Sequence, residues 1–417
     1  MKQVANCFIL FLIFLAGCST SAGPNSDAAA STLTPAVAQN WDTVIEQARG
    51  KTVNFYMWGG SDLTNTWVSE YAAEELKKQF DITLNMVPVA DIQNVVSKVL
   101  GEKQAGKEVN GSVDLMWING ENFRSMRQAD LLYGPWSESI PNSKYVNWED
   151  PSVANDFGFP VDGYESPYGK AQFVMVYDSA KVLQPPKSIE ELIAWIKANP
   201  GKFTYAAPPD FTGSVFVRQM CYHATGGYQQ FMGDFDQTLF DKEFSSCWQL
   251  LNEIEPYLWR KGETYPEDRT HMKHLFANGE VYFDMTYIPS EPSSLIENGQ
   301  YPETARTYVF NEGTIANTHY LAIPYNSYNK EAAMVVANFM LSSEAQYSKA
   351  DPTGWGDLPT IDLTLLPEDW QIKFADLPRG VATLSDIELS AHRLPELQAT
   401  WLTAIEQSWE MSVLYGN

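Results

Sequence analysis

The chain has 417 residues, 44% of them hydrophobic and 19% charged, a globular balance in a chain longer than one core usually serves, so two lobes are expected. Asp and Glu outnumber Lys and Arg by 52 to 28, and the net charge of −24 argues against nucleic acid or an anionic lipid surface as a partner. Aromatic residues make up 13% of the chain, so ligand-facing rings and packed rings cannot be told apart by letter alone.

Lys2 precedes an apolar run from Cys7 to Ala16, too short to span a bilayer and of the size of a signal-peptide core. It ends in Leu15-Ala16-Gly17-Cys18, which resembles the bacterial lipobox. That resemblance implies a signal peptide over 1–17, cleavage before Cys18 and lipid on that cysteine. An uncleaved anchor is the alternative, and the small residues at 16 and 17 argue for processing. Ser19, not an aspartate, follows the cysteine, which is compatible with an outer membrane or the outer face of a single-membrane cell. Residues 18–40 are small, polar and aperiodic, a lipid-anchored flexible tether ahead of an exported body. Cys221 and Cys247 then remain as an even pair in an oxidising compartment, which favours a disulfide over two buried thiols.

From residue 41 the chain alternates β-rich runs with helical periodicity. Strands are expected at 52–58, 82–89 and 113–119, each followed by a helix, at 64–80, 92–106 and 121–132. A second series has strands at 171–179, 202–208 and 281–287, with helices at 189–200, 215–227 and 295–299. A strand at 318–326, a helix at 330–346 and a C-terminal helix at 396–415 follow. Strand–helix alternation implies βαβ units with right-handed crossovers, hence a mixed, mostly parallel sheet in each lobe.

Such sheets bind ligands outside the carboxyl ends of their strands. Four strand–helix loops carry suitable chemistry: "WGGSD" (58–62), "NGEN" (119–122), "PDFTGS" (209–214) and "TYIPSEPSS" (286–294). Trp58 is either a ligand contact or a core residue; Gly59, Gly60 and Ser61 either serve a ligand or only make the turn and cap.

Other chemistry finds little support. "GEKQAGKE" (101–108) falls short of a phosphate-binding loop, because Glu108 replaces the hydroxyl residue and no strand precedes it. GxSxG, HExxH and CxxC do not occur. His271 and His274 lie one helical turn apart but have no evident third ligand, and His319 reads as a packed or hydrogen-bonding residue. No catalytic residue, metal site or cofactor is assigned.

The order of segments is similar to that of solute-binding proteins of ABC importers, of the two-lobed periplasmic type. The lipobox and tether fit, as do "AQFVMVYDSAKVLQPPKSIEELIAWI" (171–196), "ATGG" (224–227) and "LAIPYNSYNKEAAMVVANFMLSSEAQ" (321–346). The likeness covers nearly all of 50–350 and comes nearest to the subgroup of thiamine-transport binding proteins. It implies an α/β, two-lobed fold with a ligand cleft between the lobes. The first lobe begins at 41–165, the second spans 166–318, and 319–417 returns to the first, its C-terminal helices packing across both. It implies cleft contacts at Trp58, Gly59, Gly60, Ser61, Asn119, Glu121, Tyr164 and Glu165 from the first lobe. From the second come Asp210, Thr212, Gly213, Ser214, Asp284 and Tyr287. The adjacent tyrosine pair of iron-binding relatives is absent, which disfavours ferric iron. The expected function is capture of a small solute, an organic cation such as thiamine or a thiamine phosphate, and its delivery to an ABC permease by a monomer. Membrane contact is through the lipid anchor only, at the periplasmic or outer cell face. The alternative is an exported glycan-active enzyme with a carboxylate pair.

Overall fold

In the computed structural model, which describes residues 40–89 and 91–416, the strand–helix alternation builds two large hydrophobic cores with smaller clusters beside them. The signal peptide, Cys18 and the tether lie outside the described residues, except Asn40, whose side chain caps the helix Trp41–Ala48. The strands, in chain order, are β1 (Thr52–Trp58), β2 (Thr83–Val89), β3 (Leu115–Ile118), β4 (Asn155–Asp156), β5 (Phe159–Pro160) and β6 (Glu165–Gln172). They continue with β7 (Val174–Asp178), β8 (Phe283–Thr286), β9 (Ala305–Tyr308), β10 (Thr314–Ala322) and β11 (Arg393–Leu394).

β1 shows the two-residue period expected of a half-buried strand: Val53, Phe55 and Met57 are buried, while Asn54 and Tyr56 are only partly so. It runs parallel to β2 on one side and β3 on the other. The helical run after it starts at Asp62, passes through a π-helical stretch at Trp67–Ala72 and ends at Phe80, burying Trp67, Val68, Ala72 and Leu76. β10 joins β3 antiparallel and carries β6 antiparallel on its other flank, from Ala316↔Gln172 to Ala322↔Glu165.

The second sheet differs from expectation. β7 lies between β8 and β9 and pairs antiparallel with both, so the parallel pairing expected of each lobe is found in the other sheet, at β2–β1–β3 and between β10 and β11. The expected strand at 202–208 forms no ladder. Its backbone groups are taken by loops instead: Phe203 O accepts from Trp259 N and Ala207 N donates to Pro266 O. The expected helix at 330–346 divides into Lys330–Met340 and Ser343–Ala350, because Ser342 caps a new start through Ala345 N.

Core residues show how the chain is shared. Phe55, Val68, Leu115, Trp136, Val335 and Phe339 belong to the first core; Phe173, Phe216, Cys221, Phe283, Tyr308 and Trp401 belong to the second. β6 passes from the first core at Tyr168 to the second at Ala171, while β10 runs from the second at Ile315 to the first at Leu321. These two paired strands connect the cores. After residue 360, Leu366, Phe374 and Leu377 pack in the first core, whereas Leu397, Trp401, Ile405, Trp409 and Val413 pack in the second. A disulfide joins Cys221 to Cys247, linking the helices Phe211–Ala224 and Ser245–Ile254. Among the described residues, no helix is long and apolar enough to cross a membrane.

Candidate functional site

Trp58 ends β1 with 43% of its surface exposed, unusual for so large an apolar group at the edge of a core. Its indole folds back over Gly60, where an added Cβ would lie 2.2 Å from the ring; this close approach, not a left-handed turn, is what requires glycine. Gly59 continues the ladder by donating to Val89 O, and its own carbonyl accepts from the Asn65 side chain. Ser61 is the N-cap of the following helix, accepting from Thr64 N. The sequence therefore holds an exposed indole against a rigid, capped turn.

Behind Trp58 lies a ring cluster that the sequence reading missed. Trp117 on β3 meets Trp58 edge-on at 6.4 Å and touches Tyr168 at 5.4 Å, His319 at 4.9 Å and Trp355 at 5.9 Å. Tyr168 and His319 come from the two connecting strands. Under them Lys349 and Asp357 form a buried ion pair at 2.9 Å, and His319 Nε2 stands 3.3 Å from the same carboxylate. Burial alone would raise the Asp357 carboxyl, but Lys349 and His319 outweigh it and hold it below the usual range. The wall is thus fixed electrostatically from below while Trp58 stays open above. Strand alternation puts Trp117 on the same face as Asn119, and that signal could have found it.

Asn119 is half-buried in the loop after β3, and Glu121 is exposed at the first turn of the helix Glu121–Gln128. Beneath this loop Gly120 N donates to Asp156 at 2.6 Å. Among the described residues, the Glu165 carboxylate, completely buried on β6, has no hydrogen-bond partner for either oxygen. Burial raises Glu165 well above the ordinary range, the Asp156 charge raises it further, and Arg127 only partly offsets them. Asp156 is likewise raised, by burial. Tyr164 stacks its ring on the Arg127 guanidinium at 3.4 Å.

In the second lobe the expected residues bind one another. Asp210 caps the helix Phe211–Ala224 through Thr212 N and Gly213 N, and its other oxygen accepts from Arg269 N. Gly213 lets the helix press on the 202–208 segment, since a Cβ there would meet Ala206 O at 1.9 Å. Buried Ser214 donates to Glu406 and accepts from Arg218, whose guanidinium forms a two-bond fork with Glu396 at 3.1 and 3.0 Å. Tyr287 donates to that same Glu396. Asp284, fully buried, pairs with Arg269 at 2.7 Å and accepts from Tyr301. Arg269 also holds Glu291 at 2.9 Å; against the upward pull of burial, Arg269 and Lys273 bring Glu291 down to about 2. The exposed aromatic here is one the sequence reading passed over: Phe211, 48% exposed, packs on Tyr287 at 4.9 Å. Among the described residues, no hydrogen bond joins the expected contacts of one lobe to those of the other. The lobes do meet nearby, where Arg124 donates to Gln398 at 2.9 Å and stands 3.6 Å from Asp234.

Two cores joined by paired strands, with ligand-competent groups at strand ends, define the two-lobed binding-protein architecture. Residues 71–376 match the family of bacterial extracellular solute-binding proteins, and the chain belongs to that family. It is 36% identical over 373 residues to Protein YnjB of Escherichia coli (strain K12), covering 89% of this chain and 93% of that one. Its fold is similar to the spermidine/putrescine ABC transporter substrate-binding protein PotD of Streptococcus pneumoniae, with TM-score 0.62 and 17% identity, over 87% of this chain and 99% of that one. It is also similar to a periplasmic thiamin binding protein, with TM-score 0.54 and 18% identity, over 87% and 96% of the two chains.

Proposed function

We propose that this protein captures a small organic cation between its lobes and presents it to the permease of an ABC importer, with thiamine or a thiamine phosphate as the leading candidate. The lobes of this reading are 41–165, joined by the return of the chain in 319–417, and 166–318, with the C-terminal helices of 319–417 packing across both. The protein acts as a monomer tethered by lipid on Cys18 at the periplasmic or outer cell face. The single observation that carries the ligand class is Trp58, an exposed indole braced edge-on by Trp117. An aromatic face attracts a cation by about 0.5–2 kcal/mol, more when water is excluded. The surplus of acidic residues over basic ones favours a cationic solute over an anionic one at long range. The structural neighbours share the fold at low identity, so the reading of the ligand rests on the site and not on their names. β6 and β10 serve as the hinge on which the lobes close.

Calorimetric titration against thiamine, its phosphates, choline and spermidine, alongside glucose, maltose and citrate, tests the class. Saturable binding of one cation per chain is the expected result. Tight binding of a neutral sugar, with every cation silent, contradicts it.

A further inference from the structure

A cavity of about 610 Å³ opens beside the strands that connect the cores, within the roughly 300–1,000 Å³ range of small-molecule sites. None of the strand-end rings lines it. Its cationic wall is Lys170, near the end of β6, and Arg393, at the start of β11. Both cations are only partly matched, Lys170 by a long ion pair and Arg393 with part of its guanidinium left over. The Lys170 ammonium has its nearest carboxylate, Asp150, at 3.6 Å, beyond hydrogen-bond reach, while Asp150 Oδ1 accepts from Ser152. Arg393 Nε and Nη2 are buried with no hydrogen-bond partner among the described residues. The other two acids of the cavity are already engaged: Asp362 caps Thr364, and Asp386 is paired with Arg379 at 2.5 Å. Two neighbouring cations are thus left short of acceptors, a costly state that an incoming oxyanion relieves. The opposite wall is apolar, from Leu358, Ile361 and Leu389.

We propose that this cavity is a second ligand site, which takes a carboxylate or phosphate group between Lys170 and Arg393 and the apolar body of the same molecule against Leu358, Ile361 and Leu389. Burial, and then the Arg393 charge, bring Lys170 down to about 8; Asp150 and Asp362 pull the other way. The charges facing Lys170 are therefore Arg393, Asp150 and Asp362, and occupancy should weaken above about pH 8 as the ammonium is lost.

The test is calorimetric titration of the dialysed full-length protein with benzoate and phenyl phosphate, with benzyl alcohol and benzylamine as controls. Preference between the two anions distinguishes a carboxylate from a phosphate source. One anion should bind per chain at least tenfold more tightly than either control. Arg393→Gln should weaken it tenfold or more, and Trp58→Ala should leave it unchanged. Because Arg393→Gln removes a buried group, Ser390→Trp, an exposed change at the cavity wall, serves as a second block, with thermal midpoints recorded for both. Anion binding no tighter than benzyl alcohol, survival of binding in both blocking variants, or its loss in Trp58→Ala overturns the proposal.

Discussion

The two lobes use the same residue types at their strand ends in opposite ways. In the second lobe, Asp284, Glu291, Arg269 and Tyr301 are hydrogen-bonded to one another, as are Arg218, Glu396, Tyr287, Ser214 and Glu406. In the first, Trp58 is left exposed and Glu165 is buried with no hydrogen-bond partner among the described residues. The difference teaches that a carboxylate or ring in a strand-end loop is a ligand candidate only once its internal partners are counted. The second lobe is built for rigidity at these positions, and the first keeps unmet capacity.

The largest effect expected to sharpen this contrast is on stability. Removing one partner of the buried Arg218–Glu396 fork leaves an uncompensated charge, so Arg218→Ala or Glu396→Ala should cost about 3–5 kcal/mol in denaturant unfolding. A loss below about 1 kcal/mol would break the claim that these groups are committed internally. Next, reducing Cys221–Cys247, which closes a loop of sequence separation 26, should cost roughly 3–4 kcal/mol in the chain-entropy account. Local hydrogen exchange should place that loss in the second core.

Proton linkage should then separate Glu165 and Asp156 from Glu291 by sign. Glu165 and Asp156 are raised in the folded state, so they bind protons that the unfolded chain has released. Their contribution is full at and below the ordinary carboxyl range and is lost as pH rises toward their raised values, by about 1.4 kcal/mol per pH unit per proton. Glu291, held at about 2, behaves oppositely: its contribution is present above the ordinary glutamate value and lost as pH falls toward about 2. Glu165→Gln should therefore flatten the decline in stability between pH 5 and 8, measured by thermal unfolding. An unchanged slope would mean that Glu165 ionises normally.

Much of the architecture was legible in the sequence. The strand at 52–58 is found at those bounds, because Val53, Phe55 and Met57 alternate strictly and Gly59 follows. Helix starts at Ser61 and Ser188 follow from capping chemistry that is local in the chain, whereas the helix expected from 215 begins at Phe211, where Asp210 caps Thr212 N and Gly213 N. Sheet direction in the second lobe was not legible, since β7, β8 and β9 are brought together by tertiary packing across more than a hundred residues. Nor was the difference between a free and a committed side chain. Asp284 looks like a ligand contact until Arg269, fifteen positions away, is found paired with it. Lys349, in the last turn of the helix Ser343–Ala350, and Trp355, in the segment that follows it and folds back onto Trp117, lie outside every strand-end loop.

The smallest effect on stability and the most direct test belong to Trp58. The Trp58→Ala variant should be titrated with the organic cation that the wild type binds, and its unliganded stability measured in parallel. An exposed, edge-braced ring should leave unliganded stability within about 0.5 kcal/mol, while affinity falls by about 0.5–2 kcal/mol or more. Undiminished affinity for that cation, or a loss of unliganded stability of about 3 kcal/mol or more as for a truncated core tryptophan, would contradict the account of an open ligand wall at the end of β1.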